Sequence, residues 1–248
     1  MLKHGRFLAG VGISVFFVFP APAHSSAAGT NSCTACHSKL PSGSFAGAKA
    51  HGWKGSAHQK AGVTCDKCHG GNPKAAAKEE AHKGVLGSED PESMVYYKNV
   101  PSTCGQCHGA EAFKFNRSGH YKKLETSGSG PTCVTCHGSM IVSVLTPDSV
   151  ADVCGRCHNS QGVLPYVPQY AKSVLLALRE SQTMVNEAEW YYHPAKGTRA
   201  ASDITDARVA LHSAKLDWHT FDLESITEYL QKTYGSLKKL PRPRRKNK

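Results

Sequence analysis

The sequence predicts a mainly α-helical protein with extensive irregular loops, in two parts: a cysteine-punctuated first part and a helical C-terminal part. Three observations carry this reading. All ten cysteines lie between residues 33 and 157. Residues 30–160 show no sustained apolar period of 3.6 or 2, in a chain that is only 40% hydrophobic and holds 23 Gly and 13 Pro. From Pro168 onward a 3.6-residue apolar period sets in. A first part so poor in patterned apolar residues leaves its interior to be filled by something other than side chains.

The N-terminus reads as an export signal, residues 1–23. Lys3 and Arg6 give it a positive start, and Phe7 to Phe19 is an apolar run too short to span a bilayer comfortably. Ala21-Pro22-Ala23 offers a small-x-small cleavage site, which puts the mature start near His24. Left uncleaved, the segment would serve as a membrane anchor. No Cys stands in or just after it, so a lipoprotein anchor is excluded. The expected location is the periplasm.

Export usually turns abundant cysteine into disulfides, but the arrangement here points elsewhere. The ten cysteines form five C-x-x-C pairs, each followed at once by His: Cys33/Cys36/His37, Cys65/Cys68/His69, Cys104/Cys107/His108, Cys133/Cys136/His137 and Cys154/Cys157/His158. One such pair could be a zinc knuckle, a redox dithiol or half of a disulfide framework. Five copies that use every Cys, each with His at the same offset, fit C-x-x-C-H as the c-type haem attachment motif. The two thiols form thioethers with the haem, and the adjacent His supplies the proximal imidazole. The expected cofactors are five covalently attached haem c groups. The expected fold is a multihaem cytochrome fold organised around five stacked haems over residues 24–163, with a C-terminal helical extension over 164–237. Ser32, Thr64, Thr103, Thr132 and Asp152 stand just before the first Cys of each motif and are helix N-cap types, so each motif is expected to open a short helix.

The chain carries a formal charge of +11. Haem propionates would balance much of it, so the basicity does not argue for nucleic-acid binding.

Each haem iron needs a second axial ligand. Of the fourteen histidines, five are proximal, His4 is in the signal and His24 stands at the new terminus. His51, His58, His82, His120, His193, His212 and His219 remain as distal candidates. None lies between His137 and Cys154, so the C-terminal region is expected to supply at least one. Met94, Met140 and Met184 are alternative ligands, though packing is the ordinary role of methionine.

In the C-terminal part, Val174, Leu178, Val185 and Ala188 keep one face of a first helix apolar until His193-Pro194 ends it. Ser202 or Asp203 can cap a second helix carrying Ile204, Ala207, Leu211, Ala214 and Trp218. Asp222 to Tyr234 continues it or starts a third, stopping at Gly235. His212 and His219, seven apart, would share a helix face. Residues 238–248 hold seven Lys or Arg and are expected to be a disordered tail, open to contact with an acidic partner or a membrane surface.

Ser56-Ala57-His58 ahead of Val63-Thr64-Cys65-Asp66-Lys67-Cys68-His69-Gly70, and Ser118-Gly119-His120 ahead of Cys133, resemble the multihaem cytochromes related to hydroxylamine oxidoreductase and pentahaem nitrite reductase. The resemblance covers roughly residues 30–160. It implies that each Ser-x-His supplies a distal ligand to a haem attached elsewhere. The sequence departs from that group in two ways: it has no C-x-x-C-K motif, and it has five haem motifs where the hydroxylamine enzymes carry eight. The first expectation for function is an electron carrier between redox partner proteins, with all five irons six-coordinate. The alternatives are a reductase of a small nitrogen or sulfur oxyanion, with Tyr96, Tyr97, Arg117, Tyr121 and Arg156 available near an open iron, and a membrane-anchored or filament-forming conduit.

Overall fold

A computed structural model of the chain describes residues 31–141 and 143–241. The expected signal segment, His24 and the tail from Arg242 lie outside the described residues. Among the described residues the regular structure is helical, with no strand. The helices of the first part are short: α1 (Ser32–His37), α2 (Phe45–Trp53), α3 (Ala57–Lys60), α4 (Asp66–His69), α5 (Lys78–Ala81), α6 (Val100–Gly105), α7 (Gly109–Phe115), α8 (Gly119–Ser127), α9 (Cys133–His137) and α10 (Pro147–Gly155). Three longer helices follow: α11 (Val167–Tyr192), α12 (Arg199–Asp217) and α13 (Leu223–Leu237), with a 3-10 turn, Trp218–Thr220, between the last two.

Three of the five motifs open a helix as expected, those in α1, α4 and α9. The third and fifth do the reverse, with Cys104 and Cys154 at the C-terminal ends of α6 and α10. Pro101 and Pro147 sit in the first turns of these two helices. Proline is pre-organised for that position, so it starts the helix before the motif is reached. Of the five expected caps, Thr132 alone stands at an N-cap. Asn31, not Ser32, caps α1, accepting from the N–H of Cys33 at 3.0 Å. Thr146 caps α10, accepting from Ser149 N–H at 3.1 Å, which leaves Asp152 inside the helix. The Thr64 hydroxyl donates to Asp66 at 2.5 Å, and that of Thr103 to the Met94 carbonyl at 2.6 Å.

Side-chain burial is uneven. The apolar cluster belongs to the C-terminal part: Val174, Leu178, Val185, Ala188, Ile204, Ala207, Leu211, Ala214, Ile226, Leu230 and Leu237, with Trp218 packed against it. Every apolar residue that the period assigned to α11 and α12 is in it or against it. In residues 31–160 the buried apolar side chains of the core are Val100, Phe115, Leu124 and Val150. Three boundaries differ from expectation. Thr198, not Ser202 or Asp203, caps α12, accepting from Ala201 N–H at 3.2 Å; Asp203 is buried on the helix, 3.9 Å from Arg199. Asp222 caps a separate third helix, which runs through Gly235 to Leu237 because the Gly235 backbone stays helical. The expected tail is held as far as Pro241: Leu240 packs on the cluster and the Tyr192 hydroxyl donates to the Pro241 carbonyl.

The C-terminal helices meet the first part at two places. Asp217 at the end of α12 pairs with Lys114 of α7, and Phe221 meets Phe115 edge-on with centroids 6.3 Å apart. Lys172 of α11 reaches Asp148 of α10 at 2.6 Å, a pair exposed enough to add little. No described helix is long and apolar enough to cross a membrane.

Candidate functional site

Four motif histidines each face one histidine from outside the motifs. The ring centroids are 5.8 Å apart for His37–His82, 6.3 Å for His58–His108, 6.0 Å for His120–His158 and 6.4 Å for His137–His219. A first-row metal held between two imidazoles, with metal–nitrogen bonds of about 2.0–2.1 Å, puts the centroids about 6–6.5 Å apart. The near-parallel pairs, His37–His82 at 26° and His137–His219 at 28°, are too far apart to touch face to face. The histidines come in twos; among the described residues no group of three or more His, Cys, Asp or Glu converges.

Local structure accounts for how these side chains are aimed. Ser56 and Ser118 are buried N-caps that accept from the N–H of Gln59 at 3.2 Å and of Tyr121 at 3.0 Å. Each Ser-x-His is therefore a capped first turn, with the histidine two residues past the cap. His82 follows α5 and is held by its Nδ1, 2.7 Å from the Lys78 carbonyl. His219 lies in the 3-10 turn after α12. That turn breaks the helical period, so His212 and His219 do not share a face. Phe221 ends the turn at φ 58°, a region bulky residues rarely adopt, and lays its ring 4.6 Å from that of His120.

Ring hydrogen bonds fix three tautomers. Besides His82, His137 Nδ1 lies 2.9 Å from the Ser143 carbonyl and His158 Nδ1 2.7 Å from that of Val163. An Nδ1–H donated to a carbonyl leaves Nε2 as the ligating atom. Burial, and then His158, holds His120 below the ordinary imidazole pKa; burial, and then His137, does the same to His219. Both are thus kept in the neutral form that binds metal. Nδ1 of each is buried without a hydrogen-bond partner, which costs about 1–3 kcal/mol unless a bound group completes the site. On these counts the histidines fit a metal-centred group.

The cysteines of successive motifs adjoin. Cys33 and Cys65 stand close enough to shift each other's titration, as do Cys104 and Cys133. Cys104 and Cys107 lie close enough to Cys68 to help raise its pKa, as Cys154 and Cys157 do for Cys136, after the larger effect of burial in each case. The five motifs therefore adjoin one another in chain order. No two cysteines are joined as a disulfide. Burial, then the neighbouring thiols, pushes Cys65 and Cys136 up to about 11, whereas a redox dithiol needs a thiol poised near neutrality.

Cys36 departs from this arrangement. The sequence puts it on an equal footing with the other nine cysteines as an attachment point, but the structure leaves it exposed, while Cys33 of the same motif is half-buried. Cys107 and Cys157, the second cysteines of the third and fifth motifs, are exposed as well, yet each still adjoins a thiol of the motif before it. Cys36 acts on Cys33 of its own motif instead. The physical reason is its place in the series: α1 carries the first motif, so no earlier motif stands beside its second cysteine, and the link to the next motif is made by Cys33.

A repeat that the sequence reading missed emerges from the pairing. In residues 56–108 and again in 118–158, a Ser-capped turn presents a histidine, and a C-x-x-C-H-G motif ends in a glycine of positive φ. A helix with Pro in its first turn then closes on C-G-x-C-H, whose histidine faces the first one. The glycines, Gly70 at φ 71° and Gly138 at φ 82°, reverse the chain as only glycine does readily. The shared words S-x-H, C-H-G and C-G-x-C-H were the available signal; unequal spacers hid it.

The remaining candidates are placed elsewhere. His51 has Nε2 3.3 Å from the Leu40 carbonyl. His193 caps α11 beside Trp190, and His212 lines a surface groove with Gln182, Asn186, Glu189, Arg208 and Lys215. Met94 is half-buried, its carbonyl accepting from Thr103, while Met140 is half-buried and Met184 exposed. Tyr97, Arg117, Tyr121 and Arg156 do not gather into a pocket. Tyr97 donates to the Gly130 carbonyl at 3.0 Å, Arg117 covers the Phe113 ring, Tyr121 packs on Phe115 and Arg156 reaches the Thr135 carbonyl.

Comparison with models of protein families, with curated proteins and with solved structures gives no match.

Proposed function

We propose that the chain is an exported five-haem c-type cytochrome that carries electrons between redox partner proteins in the periplasm. One observation carries the reading most: four of five motif histidines each face a non-motif histidine across a metal-sized gap. The motif cysteines would hold each haem covalently through thioethers, with Cys36 forming its bond at the exposed edge of the first site. The paired histidines would hold the iron from both sides, and the hydrogen-bonded Nδ1 atoms of His82, His137 and His158 would fix the orientations of those three rings. Bound there, haem iron supplies reversible one-electron chemistry. The adjoining cysteines of successive motifs line up the attachment points, as a relay between two partners requires. The haems, stacked within residues 24–163, would take the place of the apolar side chains that this part lacks.

A carrier differs from a reductase in having no open coordination position. The reduced protein is expected to pass electrons rapidly to a second redox protein in stopped-flow mixing, and to bind carbon monoxide, nitrite and hydroxylamine poorly. Steady turnover of nitrite or hydroxylamine, with one stoichiometric high-spin haem in the wild type, would replace the carrier reading by the reductase.

A further inference from the structure

Resting on the five-haem reading, we propose that Phe221 is a positioning residue for the last two haem sites: its ring holds the His120 imidazole opposite His158, and its backbone ends the turn that carries His219 to His137. The reason lies in how the paired rings are oriented. His82, His137 and His158 are each fixed by an Nδ1 contact to a backbone carbonyl. His120 and His219 have no such bond, since Nδ1 of each is buried without a partner. Packing must orient these two rings, and Phe221 touches the first and lies two residues from the second.

The Phe221 ring stands edge-on to that of His120, at 4.6 Å and 64°. Its other contact is Phe115 of α7, which is buried and meets Tyr121 of α8 at 5.7 Å. The ring thus enters, from the C-terminal helices, an aromatic recess built by α7 and α8. The turn is held at both ends: Asp217 pairs with Lys114, and Asp222 caps α13 through the Ser225 N–H at 3.1 Å. The Phe221 N–H donates to the Trp218 carbonyl at 3.2 Å, closing the turn at φ 58°. Glycine would take that backbone freely, whereas phenylalanine is strained there. A bulky residue kept at such a place points to a use for its ring. Ligation at His158 therefore depends on the C-terminal helices, although its own distal histidine, His120, belongs to the first part.

The test is Phe221→Gly in the full chain, exported by a host with cytochrome c maturation. Glycine keeps the turn, and with it His219, so the ring alone is removed. The mass should still show five haems. Electron paramagnetic resonance should show one low-spin ferric haem fewer than in the wild type and one high-spin haem more. The reduced variant should bind one additional equivalent of carbon monoxide, and added imidazole should restore the lost low-spin signal. F221Y, which keeps the ring, should match the wild type. Adding F221G to H120A should change no further haem, whereas adding it to H219A should convert a second. An unchanged spin count in F221G, or a further haem lost when it is joined to H120A, would overturn the proposal. So would a drop in haem content in F221G from a wild type carrying five, which would leave Phe221 a folding role alone. A wild type bearing fewer than five haems would instead overturn the reading beneath it.

Discussion

Replacing His120 by Ala is expected to turn one haem of five high-spin and raise its potential, with all five still attached. The histidine is buried, capped into place by Ser118 and covered by the Phe221 ring at 4.6 Å, and it faces His158 at 6.0 Å. No other described histidine stands within reach of that position, so the loss should be complete. His58→Ala should do the same to the haem of His108, and His219→Ala to that of His137. His193→Ala and His212→Ala should leave every haem low-spin, because neither residue faces a motif. Spin quantification of the ferric variants reads all five outcomes on one scale. An unchanged low-spin count in both His58→Ala and His120→Ala would break the pairing.

Made in a host that cannot attach haem, the chain is expected to split in its behaviour. Residues 31–160 should not order, while α11–α13 should remain helical. The reason is where apolar side chains are buried. A fully buried aliphatic or aromatic side chain contributes about 1.5–3 kcal/mol, and backbone ordering costs about 1–2 kcal/mol for every residue fixed. Val100, Phe115, Leu124 and Val150 are too few to hold the first part, whereas eleven clustered residues serve the second. Hydrogen exchange should find protected amides between residues 171 and 237 and unprotected ones before 160. Protection throughout the haem-free chain would mean that side chains suffice after all.

What could be read in the sequence was what depends on few neighbouring residues. C-x-x-C-H is a five-residue word, and Ser-x-His is a single capped turn, so the motifs and two of the paired histidines were legible. The apolar period placed α11, α12 and their buried residues, because a 3.6-residue face needs no tertiary information. The pairing was not legible. His137 and His219 are brought together by the docking of the 3-10 turn on α7, through Asp217–Lys114 and Phe221–Phe115. The same turn defeated the expectation that His212 and His219 share a face, since α12 ends at Asp217. Nor could the motif word tell Cys36 from Cys33: identical in the sequence pattern, they differ in exposure because only Cys33 meets the next motif. The caps of α1 and α10 were misjudged as well: Asn31 competed with Ser32, and Pro147 began α10 well before its cysteine.

The central claim, that the five C-x-x-C-H motifs of this chain each hold a haem, is tested most directly by the intact mass of the exported protein. The account predicts the polypeptide from His24 to Lys248 plus five haem masses, unchanged by denaturant and by thiol reductant, because thioethers survive both. A mass equal to the bare polypeptide, or one lowered by disulfide formation among the ten cysteines, would contradict it.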